Sequence, residues 1–220
     1  MIGDISHICN RGLEKRKIFV TERDYHRFVV NLFRLNNKGA ALRNVENSLF
    51  EQPQNKLVEI LQWSLLPNHY HLLVYEKTEG GTLSFAKRLG NAFTKYVNTK
   101  EERNGYLFGN HAKIVPIKKD SQFLYIPFYI DLNPLDLGYP KWKTGGVTNP
   151  ERALDFLLQY KWSSFQDHFT NRPCKAILNQ KLFYDLFETT REEYRTGLLE
   201  FLDREESVDL TGRQMDKLAN

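Results

Sequence analysis

The sequence predicts an α+β fold in which a ferredoxin-like, split βαβ arrangement forms an antiparallel sheet. Two observations predict it. Short stretches with alternating apolar residues are typical of strands, whereas longer stretches repeat their apolar residues at helical spacing. Their order along the chain is strand, helix, strand, strand, helix, strand, followed by another helix. Helices are then expected to cover one face of the sheet.

The first half of this arrangement is defined by caps and turn residues. A first strand is predicted over 4–10, and Thr21 or Asp24 is predicted to cap a helix that runs to about residue 36. Strands over 56–66 and 70–76 are joined by turn chemistry at Pro67-Asn68 and predict a hairpin.

The second half follows a polar, irregular stretch over 38–55 that predicts a loop. Apolar spacing predicts a helix over 83–98, and alternation predicts a strand over 113–118. A third helix is predicted to start at a cap on Asp120 and to end by Asn133, because a proline follows.

Composition predicts one sizeable core. The chain has 220 residues, of which 41% are hydrophobic and 13% are aromatic. No apolar run approaches the roughly 20 residues that span a bilayer, and no signal-peptide pattern is evident at the start. Cys9 and Cys174 do not form a disulfide framework. We therefore expect a cytoplasmic protein with no membrane partner.

Charge divides the chain unevenly. Residues 1–180 hold 25 of the 31 Lys and Arg residues but 17 of the 27 Asp and Glu residues. We expect a main domain over 1–138 and a helical extension over 139–220 that packs on it and ends in an acidic tail. A basic body predicts a polyanionic partner, although ordinary surface variation also fits this asymmetry.

A pair of histidines is the most informative local feature. His69 and His71 flank Tyr70 in a predicted strand, so the two imidazoles project to the same side. Two imidazoles on a rigid strand are the start of a divalent-metal site. Taken alone, the pattern more often marks two polar residues on the solvent-facing side of a strand, because short motifs match by chance.

The third predicted helix adds a tyrosine and an amide. Tyr125, Tyr129 and Asn133 follow one another at four-residue intervals and fall near one stripe. If that stripe faces the histidines, the Asn133 side-chain oxygen is a third metal ligand and the Tyr129 hydroxyl lies near the ion. Such an N/O site suits Mg²⁺ or Mn²⁺, with tyrosine as nucleophile. The tyrosines also fit aromatic core packing, Asn133 also fits a helix end, and Pro127 is predicted to kink the helix.

These motifs resemble those of the HUH-type tyrosine transposases, within them the REP-associated group related to single-strand insertion-sequence transposases. The resemblance covers roughly residues 5 to 168. The matching segments are His7-Ile8-Cys9-Asn10-Arg11-Gly12, Leu66-Pro67-Asn68-His69-Tyr70-His71-Leu72-Leu73, Tyr129-Ile130-Asp131-Leu132-Asn133-Pro134 and Tyr160-Lys161-Trp162-Ser163-Ser164-Phe165.

The resemblance implies a nuclease that uses Mg²⁺ or Mn²⁺ to cleave and rejoin single-stranded DNA beside a hairpin. It implies a covalent 5′-phosphotyrosine link and release of a free 3′-OH. By position, His69, His71 and Asn133 match the metal ligands and Tyr129 matches the nucleophile. Tyr96, like Tyr125, is a weaker candidate for that role.

Basic residues supply the candidates for DNA contact. Where the family has a Gln-Gly-Arg-type segment, this chain has Gly109-Asn110-His111, which weakens one expected phosphate contact. Tyr106 or Phe108 could stack on unpaired bases. The basic candidates are Arg11, Lys15, Arg16, Lys17, Lys87, Arg88, Lys95 and Lys113.

Three functions remain open on the sequence alone. The first is the DNA transposase or endonuclease, acting as a monomer or a homodimer. The second is a domesticated protein that binds hairpin DNA without cleaving it. The third is a metal-dependent hydrolase that uses water as its nucleophile, with Tyr129 in a structural role.

Overall fold

The computed structural model describes residues 1–39, 55–170 and 177–203. Most of the predicted loop over 38–55 lies outside these residues. So do Cys174 and the acidic tail from residue 204 onward.

One antiparallel sheet confirms the predicted fold class. Its spatial order, β2-β3-β1-β4, places the first and third strands at the centre, as in a ferredoxin-like split βαβ unit. Neighbouring strands are antiparallel throughout. The strands are β1 (Ile5–Arg11), β2 (Val58–Leu66), β3 (His69–Glu76) and β4 (Lys113–Pro116).

Two helices pack on one face of this sheet, α1 (Glu22–Arg34) and α2 (Gly81–Lys100). Helix α1 begins where its sequence predicts, because Thr21 and Asp24 form a reciprocal capping box. Between the helices and the sheet lies an aromatic core in which Phe28 contacts Tyr70 and is fully buried. This layer packs on the face of the sheet that carries Tyr70, opposite to the face that carries the two histidines.

The expectation that helices cover one face only is wrong. Helix α3 (Asp120–Leu132) and a 3₁₀ turn (Asn133–Leu137) pack on the opposite face, together with the described part of the C-terminal extension. The cause lies in the strands: all nine residues of β2 are buried, which is typical of a strand covered on both faces. The extension contributes α4 (Trp142–Gly145), α5 (Pro150–Gln159), α6 (Phe165–Phe169), α7 (Gln180–Leu186) and α8 (Arg191–Leu202).

Helix α3 differs from its prediction at its start. Lys119 occupies the N-cap position, and Asp120 is the first helical residue. The side chain of Gln122 accepts hydrogen bonds from the backbone of Lys118 and Lys119, which satisfies groups that the helix leaves open. Pro127 lies within the helix, which continues through it to Leu132.

The Tyr160–Phe165 motif has a structural role at the outer edge of β2. The backbone N–H of Leu65 donates to the carbonyl of Trp162, and that of Ser164 donates to the carbonyl of Trp63, at 2.9 and 2.8 Å. The motif therefore shields an edge strand that would otherwise expose unpaired backbone groups.

None of the helices in the described part of the chain combines the length and the apolar character that a membrane span requires.

Candidate metal and DNA site

The histidine pair lies on the face of the sheet that α3 covers. In the register of the central strands, Arg11 of β1 lies opposite His69, and Cys9 lies opposite His71. Directly opposed residues of antiparallel strands share a face. The two imidazoles contact each other edge to face, with ring centres 4.9 Å apart.

His71 is fully buried and is held by another histidine. Its Nδ1 lies 2.9 Å from Nε2 of His7, which comes from β1. Its other nitrogen, Nε2, has no hydrogen-bond partner among the described residues. Burial is the largest of the effects that hold the pKa of His71 well below its usual value, so this imidazole is neutral and can bind a cation.

His69 is held in a similar way by its neighbour. Its Nδ1 lies 2.6 Å from the side-chain oxygen of Asn68. Burial lowers the pKa of His69 to about 3, helped by the charges of Arg11 and Lys143 and opposed by the Asn133 side chain. These effects place two cations and the Asn133 amide close to this imidazole.

Helix α3 brings the predicted tyrosine and asparagine to the histidines. The Tyr129 ring meets His71 edge to face with ring centres 5.4 Å apart, and Tyr125 stacks on Tyr129 at 5.7 Å. The Asn133 amide nitrogen donates to the backbone carbonyl of Tyr129 at 2.9 Å. This bond fixes the amide so that its oxygen, which is buried and accepts no well-formed hydrogen bond from the described residues, is available to a ligand.

The chemistry of these three side chains suits a divalent cation. Two neutral imidazoles and one amide oxygen form a mixed N/O donor set, in which the amide oxygen is a ligand type of Mg²⁺ or Mn²⁺ and the imidazoles are ligand types of transition-metal ions. The buried Nε2 of His71, which has no hydrogen-bond partner among the described residues, supports this fit, because buried polar atoms without partners are uncommon in folded proteins.

Lys143, which was not among the residues predicted from the sequence, also lies beside Tyr129. The Lys143 ammonium, on α4, lies 5.4 Å from the centre of the Tyr129 ring and forms an ion pair with Asp136 at 3.0 Å. Trp142 donates its ring N–H to the same carboxylate. Tyr129 is only 1% exposed beneath this cover. No local motif marks Lys143, because its approach depends on the path of the chain after α3.

A buried polar network also supports α3. Asp131 accepts hydrogen bonds from the Gln62 amide at 2.8 Å and from the Tyr194 hydroxyl at 2.9 Å. Burial raises the pKa of Asp131 to about 7, although its hydrogen-bond partners oppose this. The network joins β2, α3 and α8, so the C-terminal extension helps to fix the helix that carries Tyr129 and Asn133.

A second group of potential ligands lies beside the histidine pair. Ligand atoms of His7, Cys9 and His71 lie within 4.8 Å of one another, and all three residues are buried. Burial raises the pKa of the Cys9 thiol to about 11, so the thiol is protonated. In the sequence, His7 and Cys9 belong to the segment 7–12, and no local spacing marks them as ligands.

A basic groove of about 1470 Å³ lies along α2 and the 102–112 segment. Lys87, Lys95 and His111 line it, and Tyr106, 83% exposed, projects at its wall. The groove includes Asn10, next to Arg11 in β1. The groove therefore reaches the end of β1 that pairs with His69. The histidine site lies at the same end of the sheet, on the opposite face.

The other candidate DNA contacts are spread more widely. Lys15 and Lys17 are exposed in the segment after β1, and Arg16 pairs with Glu101 at 3.5 Å. Lys113 begins β4, where it pairs with Cys9 in register.

Two further candidates are held by hydrogen bonds within the chain. The Arg88 guanidinium donates to the backbone carbonyls of residues 37, 38 and 39. The Tyr96 hydroxyl donates to Asp24 in the α1–α2 layer, so Tyr96 is not brought to the histidines.

No protein-family model and no curated protein matches the chain. Among solved structures, the chain is similar to a REP-associated tyrosine transposase bound to a REP hairpin. That similarity covers 79% of this chain and 84% of the other, with 15% identity and a TM-score of 0.49.

Proposed function

We propose that this protein is a divalent-metal-dependent enzyme that cleaves and rejoins single-stranded DNA beside hairpins, with Tyr129 as nucleophile. One observation carries the proposal: His69 and His71 project toward α3, where Asn133 and Tyr129 lie beside them. The motif resemblance supports the DNA substrate, since the same four residues occupy the positions of the family's ligands and nucleophile.

The metal ligands we propose are His69, His71 and Asn133. Mg²⁺ or Mn²⁺ bound there would polarise a DNA phosphate and offset the negative charge that develops as phosphorus is attacked. The protein holds each ligand side chain through an atom other than the one that would bind the metal. Asn68 contacts His69, His7 contacts His71, and the Asn133 amide donates to a helix carbonyl.

Tyr129 would attack the phosphorus of the scissile phosphate. A bond forms between the tyrosine oxygen and phosphorus, and the bond from phosphorus to the 3′ oxygen breaks. The tyrosine gives up its proton, and the leaving 3′ oxygen gains one. The products are a 5′-phosphotyrosine link and a free 3′-OH, and attack by another 3′-OH on the link reverses these steps and joins strands.

Positive charge around the site would hold the DNA. Arg11 and Lys143 are close enough to His69 to lower its pKa, so both also favour a phosphate group there. The groove along α2 offers Lys87 and Lys95 for phosphates and Tyr106 for stacking on unpaired bases. Arg11, Lys15, Arg16, Lys17, Lys87, Lys95 and Lys113 remain our candidates for DNA contact. The Arg88 guanidinium instead donates to backbone carbonyls of the chain itself.

A covalent-adduct assay tests this proposal. The full chain is incubated with labelled single-stranded hairpin DNAs and Mn²⁺ or Mg²⁺ and then resolved on a denaturing gel. We expect a DNA–protein band that is lost with a chelator and in Tyr129→Phe. Tyr125→Phe is the matched control, because Tyr125 lies one turn earlier on α3 and stacks on Tyr129, and it should retain the band.

The burial of Tyr129 favours a second candidate, a hairpin-binding protein that does not cleave. A hydroxyl on a residue that is 1% exposed reaches a phosphate only if side chains that cover the residue move. Binding of hairpin DNA with neither adduct nor cleavage product would support this candidate. Cleavage without an adduct would instead identify a hydrolase that uses water.

A further inference from the structure

The nearest partner of the candidate ligand His71 is His7, from the neighbouring central strand. The two facing nitrogens are 2.9 Å apart, whereas the ring centres are 5.1 Å apart and the planes are inclined by only 13°. Because the nitrogens are so much closer than the ring centres, the rings approach through these atoms and not through their faces. This is the geometry of a hydrogen bond between two imidazoles.

Such a bond fixes which nitrogen of each ring carries a proton. A neutral imidazole has one N–H and one lone pair, so one proton lies between the two rings. If His71 donates from Nδ1, its Nε2 has a lone pair for a metal ion. If His7 donates instead, Nε2 of His71 carries a proton and cannot bind metal. Each ring keeps one proton in both arrangements.

The contacts of His69 provide an internal comparison. The side-chain nitrogen of Asn68 donates to the carbonyl of Lys15 at 3.3 Å, which turns its oxygen toward Nδ1 of His69. An amide oxygen only accepts, so His69 donates from Nδ1 and keeps a lone pair on Nε2. Metal-binding histidines are commonly oriented in this way by an acceptor at the other ring nitrogen.

We propose that His7 is a positioning residue that accepts the Nδ1 proton of His71 and thereby presents Nε2 of His71 to the divalent cation. The inference rests on the proposed function. It assigns to His7 the task that Asn68 performs for His69. Nδ1 of His7 and Nε2 of His71 have no hydrogen-bond partner among the described residues. A cation bound at His71 would become the partner of its Nε2.

The neighbouring thiol provides the control. Cys9 lies on the same face of β1 as His7, two residues away, and directly opposite His71. If His7 only orients His71, Cys9 takes no part in binding a hard cation. If the three side chains are themselves the ligands of a metal ion, Cys9 is as important as His7.

The experiment is a calorimetric titration of the DNA-free full chain with Mn²⁺. We expect His7→Leu to weaken Mn²⁺ binding about 10–100-fold, the usual effect of removing a partner of a metal-binding histidine. His7→Gln should restore most of the affinity, because its side-chain oxygen can accept the same proton. Cys9→Ala should bind like the wild type, and His71→Ala should not bind. Thermal unfolding without metal shows whether each variant is folded.

The outcomes separate the two proposals. Failure of the wild type to bind Mn²⁺, or unchanged binding by His71→Ala, would refute the proposed metal site. Normal affinity in His7→Leu, or equal losses in Cys9→Ala and His7→Leu, would overturn the role of His7 alone. Nitrogen-15 spectra of the wild-type histidines with Mg²⁺ provide a test without variants: we expect a protonated Nδ1 on His71, and a protonated Nε2 would contradict the proposal.

Discussion

Replacing Asp24 tests how the helical layer beneath the site is held together. One carboxylate oxygen accepts hydrogen bonds from the backbone of Val20 and Thr21 at 3.0 and 2.8 Å. The other accepts from the Tyr96 hydroxyl at 2.9 Å and from the Lys100 ammonium at 2.7 Å. A single buried carboxylate therefore caps α1 and ties its start to the end of α2. We expect Asp24→Asn to destabilise the protein because the charge on this side chain is lost.

The pKa of Asp24 sets the magnitude. Burial alone would raise this pKa, but Lys100 and the other hydrogen-bond donors lower it from 3.8 to about 2. A tenfold change in proton affinity is worth about 1.4 kcal/mol, so the charged form adds about 2 kcal/mol to the free energy of unfolding. Because the folded pKa is below the unfolded one, this contribution is complete above pH 3.8 and is lost as the pH falls through 2.

Urea unfolding followed by circular dichroism measures the effect. At pH 7 we expect Asp24→Asn to be less stable than the wild type by about 2 kcal/mol. The difference should shrink as the pH approaches 2. Asp185→Asn is the control, because Asp185 is exposed and, in the described part of the chain, its ion pair is with Lys181 of the same helix. A difference between Asp24→Asn and the wild type that is the same at pH 7 and pH 3 would refute this reasoning.

Three further predictions concern the groove, the buried network and two glycines of α2. Lys87→Ala should weaken hairpin-DNA binding and reduce the number of ions released on binding by about one. Arg88→Ala should mainly lower the melting temperature of the protein, because the Arg88 guanidinium donates to backbone carbonyls. Similar losses of DNA affinity in the two variants would contradict this. Tyr194→Phe should lower the free energy of unfolding in urea by about 1–3 kcal/mol, because a buried carboxylate loses a donor, and unchanged stability would refute this. Gly90→Ala should stabilise α2 by up to about 1 kcal/mol in the same assay, because its new methyl group meets nothing within 4 Å. Gly81→Ala should destabilise the protein, because its methyl group would lie 2.3 Å from a backbone carbonyl oxygen. The opposite order of stability would be inconsistent with this packing.

Local patterns predicted much of the fold. The cap at Thr21 and the shared face of His69 and His71 follow from rules that involve only a few neighbouring residues. The four-residue spacing of Tyr129 and Asn133 likewise placed them near one stripe of α3. The second helical layer was missed because the burial of every residue in β2 becomes evident only when the C-terminal helices are in place.

Contacts between distant residues account for the rest of the site. His7 and His71 are 64 positions apart, and only the register of β1 against β3 brings them together. The same holds for Gln62 and Asp131, which are separated by 69 positions. The sequence predicted Arg88 as a DNA contact from its charge, but it gave no sign that the chain near residue 38 returns to this guanidinium.

Mass spectrometry of the reacted protein tests the central claim most directly. The full chain is incubated with hairpin DNA and Mn²⁺, the DNA is trimmed with nuclease, and the tryptic peptides are sequenced. The account predicts a nucleotide linked through a 5′ phosphate to Tyr129, with Tyr125 and Tyr96 unmodified. A nucleotide on another residue, or cleaved DNA with every tyrosine unmodified, would contradict the assignment of Tyr129 as the nucleophile.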